Sequence, residues 1–350
     1  MGTSRRMTFL FSLAFAMAVP LPAAASGGDF SVSLPGISLR PGVTSDIHAT
    51  VYVNQNFCWG GTILAIHGFA HTGATWEPLA DAMFTDPLTR HGACRIVAVD
   101  LPGHGQSSLP TGMAYGDLTV DDYVTGTLGS LDALKGLGIR PRSILGHSMG
   151  GLVMEMMQER LLTQGKSLRS RYGIVSAVGL SPSTPAPLPW AFADSGAAVQ
   201  ILGPMFAVDG SRGATFSMDS STWRAIFFTG TTGELAADAP SAEEIDARGW
   251  NSPEALFAGL QLVGAPPIPS RGFVSAGAFA PSKGTVFTLI HLGEDVFVLE
   301  SEDLAAYQYL SGVPSGALFI TVDEPEAVHD MHVSNPGLLI DSIAGQIFSH

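Results

Sequence analysis

An α/β fold, a mainly parallel sheet covered by helices on both faces, is predicted by two features of the 350-residue sequence. Short apolar, β-branched runs alternate with longer stretches of helical periodicity. Alternation of that kind places buried parallel strands between two helical layers. The runs at 31–33 and 47–53 read as an opening antiparallel pair, and those at 62–66, 95–99, 144–145, 174–180, 286–292 and 317–322 complete an eight-stranded sheet. Helices are expected at about 76–83, 120–134, 152–163 and 303–310, and Pro336 opens a last one over 337–348.

Two segments stand outside this alternation. Residues 1–25 carry a basic start at Arg5 and Arg6, an apolar stretch over 9–19 and a small-residue site at Ala23-Ala24-Ala25, the pattern of a cleaved signal peptide. A secreted or periplasmic location is therefore expected, with residues 26–350 forming one domain. Its loss removes two arginines and no acid, so the formal charge passes from −14 to −16, which argues against nucleic acid or an anionic membrane as a partner. No stable membrane insertion is expected, and the sequence leaves the oligomeric state open. The interval of about a hundred residues at 182–282 is too long for a plain connection. It is expected to form a largely helical cap after the sixth strand. Nine large aromatics lie in it (Trp190, Phe192, Phe206, Phe216, Trp223, Phe227, Phe228, Trp250 and Phe257), enough to suggest an apolar roof, although each alone reads more simply as packing. Arg212, Arg224, Arg248 and Arg271 are either solvated or available to a substrate carboxylate.

The chemistry is concentrated at residues 143–151, where an apolar run ends in Gly146-x-Ser148-x-Gly150 and opens directly into a Leu/Val/Met-rich helix. This is the pattern of a nucleophile elbow. A serine on so sharp a strand-to-helix turn sits in a strained conformation, and glycines two residues on either side let backbone pass close by. The helix N-terminus below it favours negative charge.

The partners of such a serine follow in a fixed chain order. The run 62–66 ends in His67-Gly68-Phe69-Ala70, whose Phe69 N–H, with that of Met149, would form an oxyanion hole. The run 286–292 ends in Gly293-Glu294-Asp295, which offers Asp295 as the acid. The loop after 317–322 carries His329 as the base. His332 and Glu294 are the rivals. His71 is given no catalytic role; it reads as a residue of the pocket mouth or of a solvated helix entry.

Together, His67-Gly68-Phe69 with Trp76, Asp100-Leu101-Pro102-Gly103-His104-Gly105-Gln106-Ser107, Gly146-His147-Ser148-Met149-Gly150-Gly151, Gly293-Glu294-Asp295 and His329 seven residues before Pro336 resemble the α/β-hydrolase superfamily, in its branch of capped serine esterases and lactonases. The resemblance spans nearly the whole chain after residue 25. It implies a Ser148–His329–Asp295 triad, with one departure: the family places two residues between glycine and acid where this sequence has only Glu294. The apolar Val296-Phe297-Val298 after Asp295 and the spacing of His329 to proline favour those two over Glu294 and His332. The resemblance also assigns His67 and His104 to turn motifs, and a serine at 148 sets aside the aspartate-dependent dehalogenase and epoxide hydrolase branches. The family's strand order brings the leading ends of the strands after Cys58 and Cys94 together, so a disulfide is expected, with two buried thiols as the alternative.

The expected activity is hydrolysis of a small apolar carboxylic ester, or a lactone, through an acyl-enzyme. Amidase, acyltransferase and cofactor-free haloperoxidase chemistry share the triad, and a non-catalytic ligand binder shares the fold. No metal or cofactor is expected, since the sequence holds no His-Glu-x-x-His, Gly-x-Gly-x-x-Gly or Walker pattern.

Overall fold

The computed structural model describes residues 29–340 except 195, 269, 270 and 317. The expected signal peptide and residues 341–348 of the expected last helix lie outside the described residues; 336–340 are helical. The eight-stranded sheet comprises β1 (Phe30–Arg40), β2 (Val43–Val53), β3 (Thr62–Ile66), β4 (Arg95–Val99), β5 (Pro141–His147), β6 (Ser176–Leu180), β10 (Val286–Leu292) and β11 (Phe319–Val322), in the order β1-β2-β4-β3-β5-β6-β10-β11. Pairing is antiparallel from β1 through β2 to β4 and parallel thereafter.

Every residue of β3 and β6 is buried. The strand period sends Leu64 and Ile66 into one apolar cluster and Ile63 and Ala65 into another, so each face of the sheet is covered. The first face carries α2 (Val120–Gly136), α3 (Met149–Thr163) and α10 (Glu300–Ser311); the second carries α1 (Glu77–Thr85) and α11 (Met331–Ser334). The short α4 (Leu168–Tyr172) leads into β6.

The opening strands are longer than the sequence suggests. Leu34-Pro35-Gly36 has the composition of a turn, but β1 runs through it as a register shift between Leu34 and Ile37. Between β6 and β10 lie α5 (Ala191–Asp194), α6 (Ala197–Leu202), α7 (Ser220–Phe227), α8 (Ala242–Arg248) and α9 (Leu256–Val263). They share the insertion with an antiparallel sheet of β7 (Phe206–Asp209), β8 (Gly213–Phe216) and β9 (Glu254–Ala255) that the sequence reading lacks. Strands of two to four residues are too short to show a period of two.

Cys58 and Cys94 are joined by a disulfide, with Cα atoms 5.4 Å apart. The bond ties the approaches to the adjacent strands β3 and β4. It closes a loop spanning 36 residues, so its loss should destabilise the fold by about 4 kcal/mol through the entropy of the unfolded chain. The Cys58→Ala/Cys94→Ala variant should show a lower urea midpoint with a slope no smaller than the wild type's, since its unfolded chain is free to expand, and both thiols of the unreduced, denatured wild type should resist alkylation.

Candidate active site

Ser148 lies between β5 and α3 with φ 51° and ψ −122°, outside the regions open to most L-residues. The turn is fixed from both sides. The Ser148 N–H donates to the Leu180 carbonyl at 3.0 Å, and its own carbonyl accepts from Gly151 at 2.9 Å and Ser183 at 3.1 Å. A Cβ on Gly150 would lie 2.2 Å from the Ile66 carbonyl oxygen, and one on Gly146 would lie 2.6 Å from that of Gly150. The two glycines therefore allow an approach no other residue permits.

The same approach brings in the loop after β3. A Cβ on Gly68 would lie 3.1 Å from the Ser148 Cβ, so the Phe69 loop runs directly against the serine. Met149 opens α3, where no helical carbonyl lies beneath its amide. Neither the Phe69 nor the Met149 N–H donates to another described residue. Both are left available to an incoming oxygen.

On the far side, His329 Nδ1 and Asp295 Oδ2 are 2.7 Å apart, and Asp295 Oδ1 accepts from the Phe297 N–H at 2.7 Å. Burial of His329 works against its charged form, but the Asp295 charge and hydrogen bond, helped by Asp330 and Asp303, prevail and raise its pKa. The rivals lie elsewhere. Glu294 accepts from the Thr231 N–H at 3.0 Å and from the Thr231 hydroxyl, which ties the β10 loop to the insertion. His332 is fully buried, packs on Trp76 and His147 with ring centroids 4.7 and 4.4 Å away, and is held well below its usual pKa by burial and by His71 and His329.

Ser148, Phe69 and His329 line one pocket. Its walls are almost wholly apolar, and Ser148 itself is only 7% exposed. Of the nine insertion aromatics, Trp190, Phe192 and Phe227 reach it; aliphatic side chains such as Ile201, Leu202 and Ile226 complete the roof. Phe216, Trp223, Phe228 and Trp250 are core residues. None of the four arginines lines the pocket. Arg212 donates to the Gly103 carbonyl and lies over Tyr115, Arg224 donates to that of Pro240, Arg248 pairs with Glu77 and Glu244, and Arg271 donates to that of Leu188.

His67 and His104 shape backbone, as the turn motifs imply. The Leu101 N–H donates to His67 Nε2 at 3.0 Å, and burial, with His104 nearby, lowers the His67 pKa to about 3. His104 contacts the buried Glu254 at 3.1 Å. His71 corrects the sequence reading: it is neither at the pocket mouth nor solvated, but fully buried against Asp330. No periodicity marks either residue as part of a site. His71, His147 and Asp330 are the one group among the described residues whose ligand atoms crowd within 4.8 Å in the manner of a metal site. Both histidines already face protein acceptors there, His71 Nε2 the Asp330 carboxylate and His147 Nε2 the His329 carbonyl, and all three are closed from solvent.

A model of the alpha/beta hydrolase family matches residues 63–341. The chain belongs to that family. Among solved structures, it is similar to a putative lipase from Acinetobacter baumannii (TM-score 0.57, 13% identity, 90% of this chain and 89% of that one). An esterase from Thermogutta terrifontis gives a TM-score of 0.54 at 16% identity, over 90% of this chain and 96% of that one. These likenesses establish the α/β-hydrolase fold. In sequence, the chain is 32% identical over 94 residues to protein phosphatase methylesterase 1 of Mus musculus, which covers 27% of this chain and 22% of that protein. Hydrolase chemistry is thus supported at the level of the family.

The geometry separates the acids. Asp295→Asn should lower kcat far more than Glu294→Gln, since only Asp295 meets the imidazole, and His329→Ala far more than His332→Ala. Steady-state rates on one soluble ester decide both pairs, and a reversed order in either would move the role to the neighbour.

Proposed function

We propose that this protein is a serine hydrolase that cleaves small apolar carboxylic esters, lactones included, through Ser148, His329 and Asp295. The observation that carries the reading is the 2.7 Å contact of His329 with Asp295 in the same apolar pocket as an elbow serine. His329 takes the Ser148 proton as the hydroxyl attacks the ester carbonyl. Asp295 holds the imidazole tautomer and stabilises its charged form. The Phe69 and Met149 amides receive the developing oxyanion. His329 then protonates the departing alcohol, and water activated by the same imidazole releases the acid. The insertion acts as a lid that encloses apolar substrate. The half-buried disulfide and the amino-terminal sequence support export to an oxidising compartment.

Ser148→Ala should lower kcat by on the order of 10⁴ with the fold retained, and a fluorophosphonate should label Ser148 in the wild type. A variant keeping more than about a tenth of the turnover would refute the assignment.

The pH profile follows from the raised His329 pKa. A general base works only when neutral, so activity is full above the folded pKa and is lost as pH falls through it. The acid limb of kcat/KM should therefore lie above the 6.5 of an ordinary imidazole. A limb at or below that value would contradict the charge arrangement around His329.

An apolar pocket gains about 0.8 kcal/mol per buried methylene, so kcat/KM on p-nitrophenyl esters should rise about fourfold per added CH₂ until the pocket is full. Insoluble polyester should be a poor substrate. Rapid attack on polymer with weak activity on soluble esters would point to an open groove instead.

A further inference from the structure

We propose that His71 and Asp330 are positioning residues, a buried ion pair that locks the oxyanion loop and the loop of the general base into one rigid unit. The inference rests on the triad assignment above and adds to it a second histidine–carboxylate pair that touches no substrate. His71 is two residues beyond Phe69, and Asp330 directly follows His329. Each is fully buried.

His71 Nδ1 meets the Phe69 carbonyl at 2.5 Å, and its Nε2 meets Asp330 Oδ2 at 2.6 Å. Both ring nitrogens face acceptors, so both carry protons when Asp330 is ionised. Burial opposes that ionised form, but His71, His147 and the neighbouring His329 outweigh it and hold the Asp330 pKa below the usual value. The pair is closed from solvent and hydrogen-bonded through both His71 nitrogens, while Asp330 Oδ1 accepts no hydrogen bond among the described residues and lies 3.5 Å from His147 Nε2.

The strain in the loop shows why a fixed strut is needed. Ala70, between Phe69 and His71, has φ 57° without being glycine. Its N–H donates to Glu254 at 3.3 Å, and its carbonyl accepts from Ser252 and from the Trp223 indole. The His71 bond to the Phe69 carbonyl completes this set, holding the peptide that follows the oxyanion donor. On the other loop, His147 Nε2 donates to the His329 carbonyl at 2.9 Å, and the Asp330 N–H donates to that of Phe227. Removing the ion pair would leave the two loops joined indirectly through α7, whose Trp223 indole holds the Ala70 carbonyl and whose Phe227 carbonyl holds the Asp330 N–H, and no longer directly to each other. A shift of about 1 Å between oxyanion donor and base costs up to about a hundredfold in rate.

The test is a cycle of Asp330→Asn, His71→Gln and the double variant, followed by kcat, KM and the acid limb of kcat/KM. The groups facing His329 are Asp295 after β10, Asp303 on α10, Asp330 on its own loop, His147 on β5 and His332 on α11. Changing the pair therefore alters the charge felt by His329 in a known direction. Asp330→Asn deletes a negative charge that faces His329 and should move the limb to lower pH. Each single variant should lose about 10- to 100-fold in kcat with KM little changed. The double variant, which restores a neutral hydrogen-bonded pair, should be no worse than the poorer single one and should melt close to the wild type. It keeps the question answerable if Asp330→Asn fails to fold. Singles within about twofold of wild-type kcat, or an impaired Asp330→Asn with an unmoved limb, would overturn the proposal. Failure of the triad reading is distinguishable, because it would show as undiminished turnover in Ser148→Ala.

Discussion

The structure depends on one steric condition, the closeness with which β3, β5 and the start of α3 pass each other. Any side chain at Gly150 would strike the Ile66 carbonyl, and any at Gly146 would strike that of Gly150. With both absent, the strand can turn into a helix within one residue, and Ser148 takes the positive φ that lifts its hydroxyl off the sheet. The same closeness sets Gly68 against the Ser148 Cβ and so brings the Phe69 loop beside Ser148. The proposed nucleophile and oxyanion donors are thus products of one packing event. A defect there would harm both at once.

The second constraint is electrostatic. His329 is surrounded by the carboxylates of Asp295, Asp330 and Asp303 in a region nearly closed to water. Each has its own counterpart: Asp295 pairs with His329, Asp330 with His71 and Asp303 with His291 at 2.9 Å. A buried ion pair contributes little net stability against an apolar replacement, but removing one partner leaves a costly bare charge. The arrangement therefore serves geometry more than stability, holding the His329 imidazole in one orientation beside the pocket.

How legible this was in the sequence follows from burial and periodicity. The bounds of β3, β4 and β10 are read correctly, because strands covered on both faces appear as unbroken apolar runs. The elbow is legible because sterics leave glycine as the sole solution at two positions. β1 is shortened by Pro35 and Gly36, since a bulge and a turn use the same residues. Nothing in the sequence announces the sheet of β7, β8 and β9, whose strands are too brief for alternation. His71 and Asp330 stand 259 residues apart, and no spacing rule links partners that meet only through the tertiary fold. Glu294 and Asp295 differ in the sequence by one position, but in space by the choice between Thr231 and His329.

The bonding of the insertion is uneven, and this bears on how substrate reaches a serine that is 7% exposed. Its part from Trp223 to Glu254 is bound to the core near the site. Trp250 donates to the Ala74 carbonyl at 2.9 Å, Thr72 to that of Gly249 at 2.7 Å, Ser252 and Trp223 to that of Ala70, and Glu254 accepts from the Ala70 amide. Moving that part would break the bonds that hold the strained turn at Ala70. The wall built by α6 rests on the pocket differently. Ile201, Leu202 and Met205 meet the cavity through apolar surface, while Val199 on the outer side is 68% exposed. Lifting α6 would expose apolar area at about 25 cal/mol per Å². An apolar substrate taking its place against the pocket would recover much of that cost. On the proposed reading, the wall that an apolar substrate would displace is thus the one whose contacts it would replace, and the wall bound to the Ala70 turn is the one it would leave in place.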